Sequence, residues 1–195
     1  MRYLSQCSVS KALALRARLV DGYAWHQEIW KAFPGRQDAC RDFLFRTDSQ
    51  AESYRVLLLS EHKPEPTELL AWQTKAIAPA FLTHKRYRFR IKANPTFRRS
   101  KDKRRLAICQ EPELRQWIAQ KLAAAGMALA EGTLSVSAPV DECFTAKGKR
   151  GKHVAVDFEG VADVADPDAL ATVFHTGIGP AKGFGYGLLM LQPTH

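Results

Sequence analysis

The segment YRFRIKA, residues 87–93, decides the fold of the second half of the chain. Tyr, Phe, Ile and Ala alternate there with Arg, Arg and Lys, and a period of two is typical of a half-buried β-strand. One face of the predicted strand is apolar and the other is cationic. The elements predicted before this segment follow one order, and the elements predicted from this segment onward follow the same order. This indicates two similar units.

The preceding residues predict the order strand, helix, strand, strand, helix, strand. Residues 2–9 form the first predicted strand, and Asp21 can cap a short helix over residues 22–33 that Pro34 and Gly35 end. The other predicted elements are strands at residues 41–47 and 54–60, a short helix at 67–72 and an edge strand at 75–82.

The second half repeats this order after residues 87–93. Residues 111–125 predict a helix with one buried face, formed by Leu114, Trp117, Ile118, Lys121 and Leu122. The remaining predicted elements are strands at 129–136 and 153–159, a helix at 166–175 and a final strand at 186–191. Two such units predict an α+β protein of two tandem ferredoxin-like (RRM-like, βαββαβ) domains, residues 1–83 and 84–195.

The positive charge of the chain is concentrated in one segment. The formal net charge is +9, and residues 85–105 contain eleven Lys and Arg but a single acid, Asp102. A second basic cluster, residues 147–152, adds four cations within six residues. A solvated loop explains most charge runs, but this concentration favours a polyanion partner such as a nucleic acid.

Eleven basic residues are the candidates for RNA binding. They lie in the two basic clusters and in the glycine-rich stretch at residues 177–187, which follows a helix and precedes a strand. That order is wrong for a P-loop, so nucleotide binding is not indicated, and the stretch is expected to face RNA, to pack domains or to be a plain connection. The candidates are Arg98, Arg99, Lys101, Lys103, Arg104, Arg105, Lys147, Lys149, Arg150, Lys152 and Lys182.

Among the six histidines, His26 is the candidate for catalysis. It lies on the first predicted helix three residues after Tyr23, so the two side chains share a face. Packing among aromatic residues is the competing explanation. RNA carries its own nucleophile, the 2′-hydroxyl, so a protein that cleaves it need only transfer protons and stabilise an anion. No cluster of carboxylates or His and Cys ligands is evident, which argues against a two-metal nuclease, and no cofactor is expected.

Two further features bear on the compartment. The four cysteines form no C-x-x-C pair, and buried free thiols are expected. The first twenty residues lack the long apolar run of a signal peptide or a spanning helix, so we expect a cytoplasmic protein with no membrane partner.

Several segments together resemble the CRISPR repeat-processing endoribonucleases of the type I-E system, the CasE family. The matching segments span most of the chain: Tyr3-Leu4-Ser5, Tyr23-x-x-His26-Gln27-x-x-Trp30, residues 41–46, Phe89-Arg90, residues 93–96 and 158–161, and the glycine-rich residues 177–189. The sequence departs from the family pattern at Asp102, where relatives tend to have glycine, and at Ala162 and Asp163, which replace a more apolar pair.

The resemblance implies tandem ferredoxin-like domains and metal-independent cleavage of the CRISPR repeat at the base of its hairpin. It implies 2′,3′-cyclic phosphate and 5′-hydroxyl ends, with the mature crRNA retained in the Cascade complex beside other subunits. His26 matches the family's proton-transfer histidine, and Tyr23 matches its tyrosine partner. Two alternatives remain at this point: a non-catalytic RNA-binding subunit, and a nucleotide-binding enzyme that uses the glycine-rich stretch.

Overall fold

The computed structural model describes residues 2–36, 39–102 and 104–194. Its first unit is a four-stranded antiparallel sheet with the strand order β2-β3-β1-β4. The elements of this unit are β1 (Arg2–Ser10), α1 (Lys11–Arg16), α2 (Gly22–Trp30), β2 (Phe43–Ser49), β3 (Ser53–Ser60) and β4 (Gln73–Ile77). This strand order is that of a ferredoxin-like unit, so the predicted topology is confirmed for the first half.

The helix predicted at residues 67–72 is wrong. The hydroxyl of Thr67 accepts the N–H groups of Leu69 and Leu70, and the N–H of Thr67 bonds to the carbonyl of Leu70, which closes one tight turn. The fully buried Leu70 fills the core from this turn. A six-residue helix is marginal by itself, and here local side-chain bonds offer the backbone an alternative.

A second antiparallel sheet forms the other half of the chain. The elements of this half are β5 (Arg86–Ala93), β6 (Thr96–Arg98), β7 (Arg105–Ala107), α3 (Glu111–Ala124), β8 (Met127–Leu129), β9 (Ser135–Val136), β10 (Val140–Ala146), β11 (Lys149–Val164), α4 (Pro167–Thr176) and β12 (Met190–Pro193). Strands β6 and β7 pair with each other in a separate two-stranded sheet. The main path is β10-β11-β5-β12, and β8 and β9 also pair with β11. The order β8-β11-β5-β12 repeats the order of the first sheet.

The second half contains three strands that the sequence did not predict, β6, β7 and β10, and it differs from the prediction in further details. The strand expected at residues 129–136 is two short strands, β8 and β9, joined by a turn at Gly132, whose φ is +70°. The last strand begins at Met190 instead of residue 186, because the glycine-rich stretch continues to Gly187. Lys121 is exposed, and its ammonium lies 5.7 Å from the centre of the Trp117 ring instead of in the core.

The cysteines only partly follow the prediction of buried thiols. Cys7 is buried in the core of the first unit, and burial raises the pKa of its thiol to about 12. Cys40, Cys109 and Cys143 are exposed. The expectation of burial came from residue type alone, and it fails for these three because they lie in loops or on an edge strand.

A side-chain ion pair and an apolar cluster join the two sheets. Arg46 of β2 is almost fully buried and forms an ion pair with Asp157 of β11, with 2.7 Å between nitrogen and oxygen. Leu44 and Leu59 of the first sheet pack with Phe174 and Leu188 of the second half. These contacts bring one edge of α2 against the glycine-rich stretch.

Candidate active site and nucleic-acid interface

Helix α2 presents the two side chains that the sequence singles out. Asp21 caps the helix, and its Oδ1 accepts the N–H of Ala24 at 2.9 Å. Tyr23 and His26 follow on one face, and both border the tight turn Lys182–Phe184 of the glycine-rich stretch. The Tyr23 and Phe184 rings are 6.1 Å apart, and a side-chain carbon at Gly183 would lie 3.9 Å from Cε1 of His26.

Glycines allow this close approach. A Cβ atom at Gly22 would lie 2.3 Å from the carbonyl oxygen of Phe184, so only glycine lets α2 begin against the turn. Gly177 has a φ of +76°, and a Cβ there would lie 2.9 Å from the side chain of Leu44. Of the roles left open for the glycine-rich stretch, the structure therefore supports packing between the two units.

His26 is half-buried among aromatic rings. Its ring lies 5.6 Å from the ring of Phe43 and 6.2 Å from that of Phe45. The indole Nε1 of Trp30 donates to Nε2 of His26 at 3.1 Å, and Nδ1 is buried without a partner among the described residues. Burial, and to a lesser extent the positive charge of Arg41, lower the pKa of His26 to about 4.

His26 is therefore neutral at physiological pH. Because Nε2 accepts the Trp30 N–H, the single proton of the neutral ring belongs on Nδ1 and the lone pair on Nε2. A neutral imidazole can accept a proton, which is the role of a general base. The competing explanation, a packed core histidine, accounts for the rings around His26 but not for the partly buried Arg41 beside it.

One cation, Arg41, lies beside His26, and a second, Lys182, lies beside Arg41. The guanidinium of Arg41 donates to the carbonyl oxygen of Phe43 and, at 3.4 Å, to that of Lys182. Burial and the charge of Arg41 both lower the pKa of Lys182, and burial lowers the pKa of Arg41 itself. Arg41, Lys182 and a protonated His26 would repel one another, so this site favours an anion such as a phosphate group.

The basic segment at residues 98–105 joins the paired strands β6 and β7 and includes the end of each. We call β6, β7 and the described residues between them the ribbon. Arg98 of β6 pairs with Arg105 of β7, and the tip lies between them. Asp102 bonds to the guanidinium of Arg99, accepts the N–H of Arg104 at 3.1 Å and lies 3.6 Å from the Arg104 side chain. The acid at this position therefore fixes the tip and offsets part of its charge.

All the described cations of the ribbon are exposed, as binding to RNA requires. They are Arg98, Arg99, Lys101, Arg104 and Arg105. Lys103, the sixth candidate in this segment, lies outside the described residues.

The second basic cluster is the tip of a β-hairpin formed by β10 and β11. Lys147 and Gly148 have φ values of +50° and +73°, as in a tight two-residue hairpin turn. Lys147, Lys149, Arg150 and Lys152 are all exposed there. Lys152 also pairs with Asp141 at 2.8 Å. We call residues 140–152 the basic hairpin.

A cleft joins the ribbon to the basic hairpin. It has a volume of about 280 Å³, and its lining includes Arg105, Lys152, His153 and Pro180. His153 lies 4.7 Å from the ring of Phe184, whose ring in turn approaches Tyr23. The structure thus connects the ribbon, the basic hairpin and the glycine-rich stretch to α2.

The cationic face of β5 is less available than its sequence suggests. Arg86 pairs with Asp163 at 2.6 Å, Arg90 with Glu159 at 2.7 Å and Lys92 with Glu142 at 2.6 Å. These acids lie on β10 and β11, more than forty residues away in the sequence. Three of the five cations at residues 85–92 are therefore paired, whereas Arg98, Lys101 and Arg105 of the ribbon have no ion-pair partner among the described residues.

Arg41, Trp30 and His153 are not among the residues that the sequence pattern singles out. Arg41 and Trp30 lie within the segments that carry the family resemblance, which points to their positions but not to their chemical roles. His153 lies at the start of a predicted strand, and only the pairing of β10 with β11 shows that it reaches the cleft.

Replacing Trp30 with phenylalanine is expected to raise the pKa of His26. The indole N–H stabilises the neutral ring by bonding to Nε2, and phenylalanine keeps an aromatic ring but has no donor. Histidine NMR titration measures the change, and Trp25→Phe is a matched control on the same helix. An unchanged His26 titration in Trp30→Phe would show that this bond does not set the protonation state.

No group of three or more His, Cys, Asp and Glu side chains within residues 2–36, 39–102 and 104–194 is arranged to hold a metal ion. None of the described helices is both long and apolar enough to cross a membrane.

Comparison with known proteins identifies the family. Residues 2–193 match the family described as CRISPR associated protein. The chain is 35% identical to the CRISPR system Cascade subunit CasE of Escherichia coli K12, covering 95% of this chain and 98% of the relative. It is 28% identical to the CRISPR-associated endoribonuclease Cse3 of Thermus thermophilus, covering 92% and 94%.

A solved structure of CRISPR endoribonuclease Cse3 bound to a 19-nucleotide RNA has the same fold, with a TM-score of 0.87 and 27% identity. It covers 98% of this chain and 100% of that chain. The chain therefore belongs to the CRISPR-associated protein family that includes the Cascade subunit CasE and the endoribonuclease Cse3.

Proposed function

We propose that this protein is a metal-independent endoribonuclease that cuts CRISPR precursor RNA within each repeat, at the base of the repeat hairpin. The mature crRNA stays bound, and the protein remains with it as a subunit of Cascade, in the cytoplasm. Its relatives support the assignment, since one is named a Cascade subunit and another a CRISPR-associated endoribonuclease. The two sheets support domains at residues 1–83 and 84–195.

The observation that carries the proposal is a neutral histidine beside the cation Arg41, which in turn lies beside Lys182. The lowered pKa of His26 leaves a ring that can accept the proton of an RNA 2′-hydroxyl, and Arg41 and Lys182 provide positive charge for the phosphate under attack. Attack by the 2′-oxygen on the adjacent phosphorus breaks the bond to the 5′-oxygen. The products carry a 2′,3′-cyclic phosphate and a 5′-hydroxyl.

Each proton has a defined path in this mechanism. The 2′-hydroxyl replaces the indole of Trp30 as hydrogen-bond donor to Nε2 of His26, and its proton passes to that nitrogen. The imidazolium can then return a proton to the leaving 5′-oxygen. Tyr23 lies one turn before His26 and can orient a hydroxyl or a phosphate oxygen.

The cations outside the active site bind the RNA hairpin of the repeat. The ribbon contributes Arg98, Arg99, Lys101, Arg104 and Arg105, and the basic hairpin contributes Lys147, Lys149, Arg150 and Lys152. The cleft that Arg105 and Lys152 line lies between these two elements. Phosphates bound along this surface would place the base of the stem near α2.

Incubation of the protein with its cognate repeat hairpin in EDTA is the experiment that tests the function. Cleavage should proceed as in buffer without EDTA, and the upstream product should carry a cyclic phosphate. Loss of cleavage on chelation would contradict the metal-independent mechanism. Binding without any cleavage, with or without Mg²⁺, would favour the non-catalytic RNA-binding subunit.

Replacing Arg98, Arg99, Arg104 and Arg105 with alanine is expected to weaken RNA binding and flatten its salt dependence. Each phosphate that the protein no longer neutralises should reduce the slope of log K against log salt concentration by about 0.7 to 0.9. Electrophoretic binding assays at several salt concentrations measure the slope. Alanine at Lys11 and Arg16, exposed cations of α1, is the control. An unchanged slope in the ribbon variant would show that RNA binds to another part of the surface.

A further inference from the structure

The carboxylate of Asp21 contacts both units of the chain. Oδ1 accepts the N–H of Ala24 at 2.9 Å and so caps α2. Oδ2 accepts the backbone N–H of Thr145, also at 2.9 Å. Thr145 lies in β10, two residues before the turn of the basic hairpin. One side chain therefore joins the start of α2 to the basic hairpin.

The backbone of Thr145 is suited to this contact. In the described part of the chain, β10 is an edge strand that pairs only with β11, so every second N–H group points away from the sheet. Asp21 accepts one of these outward N–H groups. The contact therefore satisfies an edge donor without interrupting the pairing of β10 with β11.

Aromatic contacts keep the same two elements together. The ring of Phe144, the residue before Thr145, lies 4.4 Å from the ring of Phe184. Phe184 also lies against the first residue of α2, because its carbonyl oxygen fills the space where Gly22 has no side chain. The junction of β10, α2 and the Lys182–Phe184 turn is packed, and Asp21 provides its directional hydrogen bonds.

Helix capping alone does not require the second contact. Asp166 occupies the same N-cap position in α4, and Oδ1 accepts the N–H groups of Asp168 and Ala169, both at 3.0 Å. Those bonds remain within one helix. Asp21 instead uses one oxygen for its helix and the other for a strand 124 residues away.

We propose that Asp21 is a positioning residue that couples the basic hairpin to α2. RNA bound by the basic hairpin is thereby held in a fixed position relative to Tyr23 and His26. This inference rests on the proposed endoribonuclease function. A small displacement between a bound substrate and a catalytic group can cost about a hundredfold in rate, so a single coupling bond can matter for cleavage.

The variants Asp21→Ser and Thr145→Pro remove the contact between α2 and β10 while the N-cap of α2 keeps a side-chain acceptor. Serine keeps an N-cap acceptor but loses the second oxygen, and proline removes the Thr145 donor at an edge position where proline is tolerated. Single-turnover cleavage at saturating protein, RNA affinity and thermal stability are measured for each variant. Asp166→Ser is the matched control for the loss of a capping aspartate.

We expect Asp21→Ser to lower the cleavage rate roughly tenfold to a hundredfold, with RNA affinity nearly unchanged. Thr145→Pro should have a similar effect, and the double variant should lose little more than either single variant, because both remove the same bond. Asp166→Ser should lower thermal stability to a similar extent while cleaving at the wild-type rate. A rate loss without an affinity loss is not expected from a purely structural role.

Three results would overturn the coupling: a wild-type cleavage rate in Asp21→Ser, an equal rate loss in Asp166→Ser, or additive losses in the double variant. If Thr145→Pro does not fold, Asp21→Ser and its control still decide. The wild-type protein in the same assay separates this inference from the function. If the wild-type protein does not cleave, the endoribonuclease proposal fails. If it cleaves and Asp21→Ser cleaves at the same rate, only the proposed coupling is wrong.

Discussion

His26→Ala is expected to lower the single-turnover rate of repeat cleavage by about a hundredfold to ten-thousandfold, the range of general acid–base catalysis. Alanine removes the lone pair that would accept the 2′-hydroxyl proton. The cations of the ribbon and the basic hairpin are untouched, so the variant should still bind the hairpin. Cleavage and binding measured on the same RNA separate the two effects.

His175→Ala is the matched control for this variant. His175 is also partly buried, burial lowers its pKa, and its Nδ1 also lacks a partner among the described residues, but it lies on α4. It should therefore show a similar loss of packing with a normal rate. If His26→Ala cleaves about as fast as His175→Ala, His26 is a packed core residue and the mechanism is wrong.

The pH dependence gives a second test of the role of His26. With a pKa of about 4 in the free protein, the neutral form predominates at every pH above that value. For a general base, kcat/KM should rise with pH through about 4 and stay level towards neutrality. A general acid with the same pKa would give the opposite profile, with kcat/KM falling as the pH rises above 4.

The fold could be predicted where local pattern and tertiary structure agree. The alternation in residues 87–93 specifies a strand that is apolar on one face, and the structure buries Tyr87, Phe89 and Ile91 completely. The segment at 67–72 could not be predicted in the same way. Its outcome depends on one Thr67 hydroxyl that competes for backbone N–H groups and on the core space that Leu70 fills.

The candidate site was predictable on α2 but not around it. The spacing of Tyr23 and His26 places both on one helix face, and this follows from the sequence alone. Arg41, which lies beside His26, comes just before β2, and Lys182, which lies beside Arg41, comes from the glycine-rich stretch 141 residues later. Only the packing of the two sheets brings them together, just as only strand pairing shows which cations of β5 are neutralised.

Arg41→Gln is expected to lower the cleavage rate by about a hundredfold to a thousandfold, the effect of removing one preorganised group that stabilises a developing anion. Glutamine keeps polar atoms of similar reach but carries no charge. The same substitution should raise the pKa of His26, because the positive charge that disfavours the imidazolium is gone, although burial still holds the pKa below its usual value. Cleavage kinetics and histidine NMR titration measure the two effects.

Arg41 also holds the carbonyl of Lys182, so its loss could act through structure instead of charge. Arg41→Lys separates these possibilities, because lysine keeps the charge but replaces the planar guanidinium, one nitrogen of which donates to both carbonyl groups, with an ammonium on a different stem. If charge matters, the lysine variant should keep the low His26 pKa and part of the activity. Arg55→Gln, which removes a partly buried ion pair between Arg55 of β3 and Asp48, is the control.

A normal cleavage rate and an unchanged His26 titration in Arg41→Gln would contradict the anion site. We expect both a slower rate and a changed titration, because the clustered cations are unfavourable in the absence of an anion. Burial lowers the pKa of both Arg41 and Lys182, and the charge of Arg41 further lowers that of Lys182 and of His26. A phosphate placed between these groups would offset this repulsion, and it would do so most strongly as negative charge develops during attack by the 2′-oxygen.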